Sequence, residues 1–324
     1  MRRFEWLLVG AAAVVLSSQA AQVRFALVGD YGVDNPDELA VANLIKTNFQ
    51  PDFIVTCGDN QYGVSASDID RNIGKYYHDY IGNYRGSFGS GASSNRFFPA
   101  LGNHDYLEPQ GYSAHLAYFT LPGNERYYDF VRGPIHVFIV NSEVHEPDGI
   151  SASSGQARWL SNRLAASVSP WKLVVSGDAH NYERIVSQDF PYFVNGAGGA
   201  PLASFGAPVG GSVVRYNAAH GAMLVIAEER QLTFEFHSVV GGGTRVDRYM
   251  LFQPPILEVV RQTNRVVLRW PTNGAASFRL QYTATPWNPS SWLFGTNAPL
   301  LSADDYTFTE PSSEPRRFFR LRRP

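Results

Sequence analysis

The sequence predicts an α/β domain followed by a small all-β module. Three observations carry that expectation. Three apolar runs each end in Gly-Asp: Val23 to Asp30, Phe53 to Asp59 and Lys172 to Asp178. Between the first two, Leu39, Ala42, Ile45 and Phe49 recur at helical spacing. Beyond Phe252 the pattern changes to short alternating stretches divided by turn residues.

Taken in order, the chain opens with "MRRFEWLLVGAAAVVLSSQAAQ". Two arginines, an apolar run from Trp6 to Leu16 and small residues at Ser18, Ala20 and Ala21 have the layout of a secretory signal. Residues 1–21 are expected to be removed on export to the periplasm or medium. The apolar run is short of the roughly 20 residues a membrane span needs, so no stable insertion is expected after cleavage. A strand from Val23, an amphipathic helix over Pro36 to Gln50 and a buried strand from Phe53 make a βαβ unit, hence a sheet with helices on its faces. Strands follow at His136 to Glu143 and Lys172 to Val175, with a helix over Ser154 to Ser167 between them. Met223 to Val239 reads as two strands joined by a tight turn.

Pro254 and Pro255 mark a linker, so the main domain is expected over 22–252 and a β-sandwich over 253–324. Its strands are expected at Val266 to Trp270, Phe278 to Tyr282, Tyr306 to Thr309 and Phe318 to Arg322. Hydrophobic residues at 44% and charged residues at 17% exclude a disordered chain. A net charge of -2 offers no basic field for nucleic acid. Cys57, the single cysteine, sits in an apolar strand where burial is its usual fate.

The polar residues gather at strand ends, where loops present them together. Asp30 and Asp59 end the first two strands, Asn103, His104 and Asp105 lie in "PALGNHDY", and His180 follows the third Gly-Asp. Carboxylate, amide, phenol and imidazole donors in one place suit a borderline or hard cation such as iron, zinc or manganese.

The ordered set GDYG, GDNQY, GNHD and GDAHNYER resembles the calcineurin-like metallophosphoesterases. Within them it looks closest to the purple (tartrate-resistant) acid phosphatase branch, whose second motif carries a tyrosine, here Tyr62. The resemblance runs from about Val23 to Val239. It implies a sandwich of two β-sheets flanked by helices, with a dinuclear centre of iron paired with iron, zinc or manganese. Carried over by position, Asp30, Asp59, Tyr62 and His180 hold the first metal. Asp59 bridges to a second, which Asn103 also binds. The implied reaction is hydrolysis of phosphate monoesters by metal-activated hydroxide. His104 is the implied hydrogen-bond donor to the substrate, with Asp105 a candidate orienter of its imidazole. The C-terminal module resembles fibronectin III-like sandwiches of secreted bacterial enzymes.

One motif departs from the family. The last motif there is Gly-His-x-His, whereas here it is Gly177, Asp178, Ala179, His180. A further metal-binding histidine, on a loop after a separate strand, is absent, because Val175 runs straight into Ser176. The second metal keeps Asp59 and Asn103, and Asp178 is the candidate replacement ligand. Three readings stay open: an active phosphatase with an altered second site, a degenerate single-metal relative with little catalysis, and a phosphodiesterase. The glycine-rich stretch Asn195 to Gly211 is expected beside the site, and His220 is weighed as a group near it.

Overall fold

The computed structural model describes residues 22–62, 68–107, 112–175, 179–188, 190–272, 278–295, 298–302, 304–311 and 317–322. Residues 1–21, expected to be an export signal, and Asp178 lie outside the described residues.

The chain begins with β1 (Val23–Val28), α1 (Pro36–Asn43), β2 (Phe53–Thr56), α2 (Lys75–Tyr77), β3 (Phe97–Pro99), α3 (Asn103–Leu107) and α4 (Ser113–Tyr118). Next come β4 (Tyr128–Arg132), β5 (Ile135–Ile139), α5 (Gly155–Ala166) and β6 (Trp171–Val175). They lead to β7 (Tyr182–Ser187), β8 (Phe190–Asn195), β9 (Ser212–Tyr216), β10 (Gly221–Ala227), β11 (Gln231–Ser238) and β12 (Thr244–Phe252). One six-stranded sheet has the order β12-β11-β10-β1-β2-β3. Within it β1, β2 and β3 run parallel, as the βαβ reading requires. Strands β4-β5-β6 form a second sheet and β8-β7-β9 a third.

The first helix shows where periodicity succeeds and fails. Asn35 caps it, accepting from Glu38 N at 2.8 Å, and Pro36 occupies the first turn. A π-helical stretch, Leu44–Phe49, continues it to Gln50, which closes it at φ 47. Ala42, Ile45 and Phe49 are buried as expected, but Leu39 is 48% exposed. Glu38 is fully buried instead, and its Oε2 accepts from Val33 N (3.1 Å) and Asp34 N (2.7 Å). Burial pushes its carboxyl well above the usual range, although those two amides oppose the shift. A carboxylate that clamps the loop after the first Gly-Asp thus takes the position expected for an apolar contact.

The core fills the sheet faces. Phe25 stacks on Phe53 at 4.7 Å, and Tyr77 packs edge-on to Tyr31 at 5.7 Å. Tyr76, Tyr77 and Tyr80 are all buried, so the aromatic stretch around them serves packing. Strand β6 pairs with β5 alone among the described residues, and Val174 on it is 46% exposed. The chain then re-enters as β7, which pairs with β8 and β9.

After Phe252 the strands are β13 (Glu258–Arg261), β14 (Arg265–Pro271), β15 (Arg279–Thr283), β16 (Leu293–Phe294), β17 (Leu300–Ser302), β18 (Asp305–Pro311) and β19 (Phe318–Arg322). They make antiparallel sheets of order β13-β14-β18-β17 and β16-β15-β19. A second core of Leu268, Trp270, Leu280 and Phe308 draws on both sheets.

Candidate metal centre

Two sharp turns build the centre. The chain leaves β1 and β2 through Gly29-Asp30 and Gly58-Asp59, and both aspartates adopt left-handed backbone, φ 56 and 52. Aspartate tolerates that conformation better than most residues, so the turn former is also the carboxylate it presents. Asp30 N donates to Gly58 O at 3.2 Å and Tyr31 N to Asp59 O at 3.4 Å, which ties the two turns together. Tyr62 N donates to Gly32 O at 2.8 Å. A Cβ at Gly32 would lie 1.8 Å from Asn60 O, so only glycine lets the loops approach.

The expected first-metal donors converge. One ligand atom each from Asp30, Asp59 and His180 lies within 4.8 Å of the others. Tyr62 Oη sits among them, 3.0 Å from Asp59 Oδ2, 3.3 Å from Asp30 Oδ1 and 3.0 Å from His180 Nε2. His180 Nδ1 lies 3.0 Å from the Pro201 carbonyl, which only accepts, so this nitrogen carries the proton. That bond turns Nε2 toward the cluster, as an imidazole ligand requires.

Two nearly buried carboxylates, a phenol and an imidazole in one spot are a donor set for a di- or trivalent cation. The close approach of these groups shifts their titration. Burial, with help from the Asp59 charge, pushes the Asp30 carboxyl up to about 6, despite the opposing His180 bond. The bond to Asp30 pushes the His180 imidazole up to about 9, against the effect of burial. Burial and both carboxylates also raise the Tyr62 phenol. The residues present fit a metal.

Asp59 faces two ways. Its Oδ2 meets Tyr62, while its Oδ1 accepts from His104 N at 2.9 Å, at the start of α3 where Asn103 also lies. The His104 ring packs on the Tyr62 ring, 4.1 Å between centroids.

Asp105 is placed differently from the expected orienter of His104. It is 2% exposed, and its Oδ2 accepts from Gly102 N (2.9 Å) and Asn60 Nδ2 (2.8 Å). Asn60 N adds contacts of 3.2 and 3.3 Å to its two oxygens. Burial pushes its carboxyl up to about 7, the Gly102 amide opposing. This side chain joins the second and third motifs. Asn60, not singled out in the sequence, completes the joint. Its Oδ1 accepts from Tyr31 Oη (2.9 Å) and Thr56 Oγ1 (2.6 Å), and its Nδ2 also reaches Ala100 O (2.6 Å).

The glycine-rich stretch lies directly beside the centre. A Cβ at Gly196 would fall 2.1 Å from Asp30 Oδ2 and 1.9 Å from Ala179 O. His220 bonds Ala200 O at 2.9 Å and lies 3.5 Å from Asp37, a structural placement.

The comparisons with known proteins agree with this geometry. A family profile for calcineurin-like phosphoesterases matches residues 23–222. The chain belongs to that family. Among solved structures, the purple acid phosphatase from yellow lupin (Lupinus luteus) seeds superposes with TM-score 0.58 at 16% identity. The match covers 72% of this chain and 54% of the lupin enzyme, so the chain matches about half of that protein's length. GAP50, the anchor in the inner membrane complex of Plasmodium, gives TM-score 0.55 at 16% identity, covering 71% of this chain and 89% of the other. At such identities the likeness concerns the fold. No curated protein matches the sequence.

Proposed function

We propose that this protein is an exported phosphatase that hydrolyses phosphate monoesters at a metal centre held by Asp30, Asp59, Tyr62 and His180. The convergence of those four side chains supports the reading above any other observation. The centre would hold iron, zinc or manganese, and a bound cation supplies an activated water nucleophile and neutralises phosphate charge. The protein's own groups do the remaining work. His180 is oriented by Pro201 O, Tyr62 spans both aspartates, and His104 stands over Tyr62 as hydrogen-bond donor to the ester. Asn103 and Asp59 Oδ1 form the side of the centre where a second cation would bind. Export rests on the charged, apolar and small-residue layout of residues 1–21.

A second reading follows from the open edge at β6 and the absent histidine loop: a scaffold that binds one metal and turns over slowly. Metal content by plasma mass spectrometry, together with hydrolysis of p-nitrophenyl phosphate and its bis-ester, separates the readings. Monoester turnover abolished by Asp59→Ala supports the phosphatase. One bound metal without turnover supports the second reading. Less than one equivalent of metal and no hydrolysis overturns both. Faster bis-ester cleavage makes it a diesterase.

A further inference from the structure

Residues 253–324 contain nine arginines, no lysine and five acids, a net charge of +4 in a chain whose total is -2. The strand register gathers part of that charge on one surface. Phe294, Gln281 and Arg320 stand opposite one another across β16, β15 and β19, so they share a face. Alternation adds Arg279, Arg322 and Phe318 to it. The other face carries Leu280, Phe319 and Leu321 into the core with Leu268 and Phe308. None of the three strands contains an acid. Arg320 is held on the outer face, its Nε donating to Gln281 Oε1 at 2.9 Å and its guanidinium 4.0 Å over the Trp292 ring.

Large apolar side chains are exposed on these strands and the loop between them. Phe294 is 44% exposed, Leu293 57% and Trp287 76%. Strands β16 and β17 each form the edge of their sheet and are separated only by residues 295–299. Leu300 (74%) and Leu301 (68%), on the edge strand of the other sheet, are exposed as well. Exposed apolar groups gathered this way mark an interaction surface.

We propose that this face and rim dock the protein on a lipid bilayer bearing anionic headgroups. Guanidinium groups match phosphate oxygens in a fork geometry, and tryptophan, phenylalanine and leucine enter the boundary between headgroups and acyl chains. Saccharides or nucleobases would use the aromatic rings but leave Leu293, Leu300 and Leu301 without a partner. A second copy seated symmetrically would set arginines against arginines. Charge complementarity and aliphatic exposure together select the bilayer.

The test is flotation of the full chain with phosphatidylcholine vesicles, with and without phosphatidylglycerol, at low and high salt. Comparison among variants cancels any contribution of the shared N-terminal segment. The expected result is binding that requires phosphatidylglycerol, weakens with salt, and falls at least roughly tenfold in both Arg279→Glu/Arg322→Glu and Leu300→Ser/Leu301→Ser. All four positions are exposed, and thermal melting verifies that both variants fold. Failure to float, equal binding to both vesicle types, or variants that bind like the parent would overturn the proposal. So would a dimer by light scattering that Leu300→Ser/Leu301→Ser dissociates, since the rim would then be a self-association surface.

Discussion

The phenol oxygen of Tyr62 lies 3.0 Å from Nε2 of His180, although 118 positions separate the two residues. The contact closes a ring of donors begun by Asp30 and Asp59. It also isolates the contribution of a single oxygen, because the Tyr62 ring has its own packing partner in His104.

Tyr62→Phe should keep that packing and delete one ligand. Metal affinity is expected to fall by about 10–100-fold, the range seen when a group supporting a metal site is removed. Chelator competition, read alongside the melting temperature, checks that the loss lies in the site and not in the fold.

Asp105→Asn tests the joint between the second and third motifs. The amide nitrogen only donates, and either place it takes already faces a donor: Asn60 N at Oδ1, or Gly102 N and Asn60 Nδ2 at Oδ2, so at least one buried donor loses its partner. A stability loss of about 1–3 kcal/mol is expected in urea titrations. Metal uptake should weaken with it, because His104 and Asn103 lie on the same short helix.

Gly196→Ala would drive a methyl group into Ala179 O and the Asp30 carboxylate. Backbone on one side and a ligand on the other leave little room to relax. The expected cost is about 3 kcal/mol or more, at the upper end of overpacking effects, with loss of metal binding. A variant as stable as the parent in denaturant would contradict this packing.

His115 is 2% exposed, and neither ring nitrogen has a partner among the described residues. Burial pushes its imidazole down to about 3. In the unfolded chain the same group takes up a proton near pH 6.5, so the unfolded state binds more protons between those values. Its contribution to stability is therefore fully present above pH 6.5 and is lost progressively as pH falls toward 3. The loss amounts to about 1.4 kcal/mol per pH unit within that window. His115→Leu should flatten the dependence, and denaturation curves at pH 5 and 7 give the comparison.

Much of the architecture was legible in short windows. The first two Gly-Asp strand ends, the helix after β1, the β10–β11 pair and the C-terminal strands all rest on local periodicity and turn chemistry. The outcome was poorer where a residue's environment is set by distant chain. Leu39 fits the helical stripe but faces out, because the loop after Asp30 places two amides where the Glu38 carboxylate can receive them. Asp105, next to His104 in sequence, turns instead to Asn60, 45 positions away.

By itself the sequence picked out the candidate side chains of the metal centre and the turns that present them. A Gly-Asp at a strand end encodes both a left-handed backbone and the carboxylate it presents within two residues. Only the tertiary structure decided that the carboxylates, phenol and imidazole meet at one point, that Gly196 must lack a side chain beside them, and that β6 ends its sheet among the described residues. Those facts depend on approaches between segments far apart in the chain, and pairing and packing over such distances leave no signal in any local window.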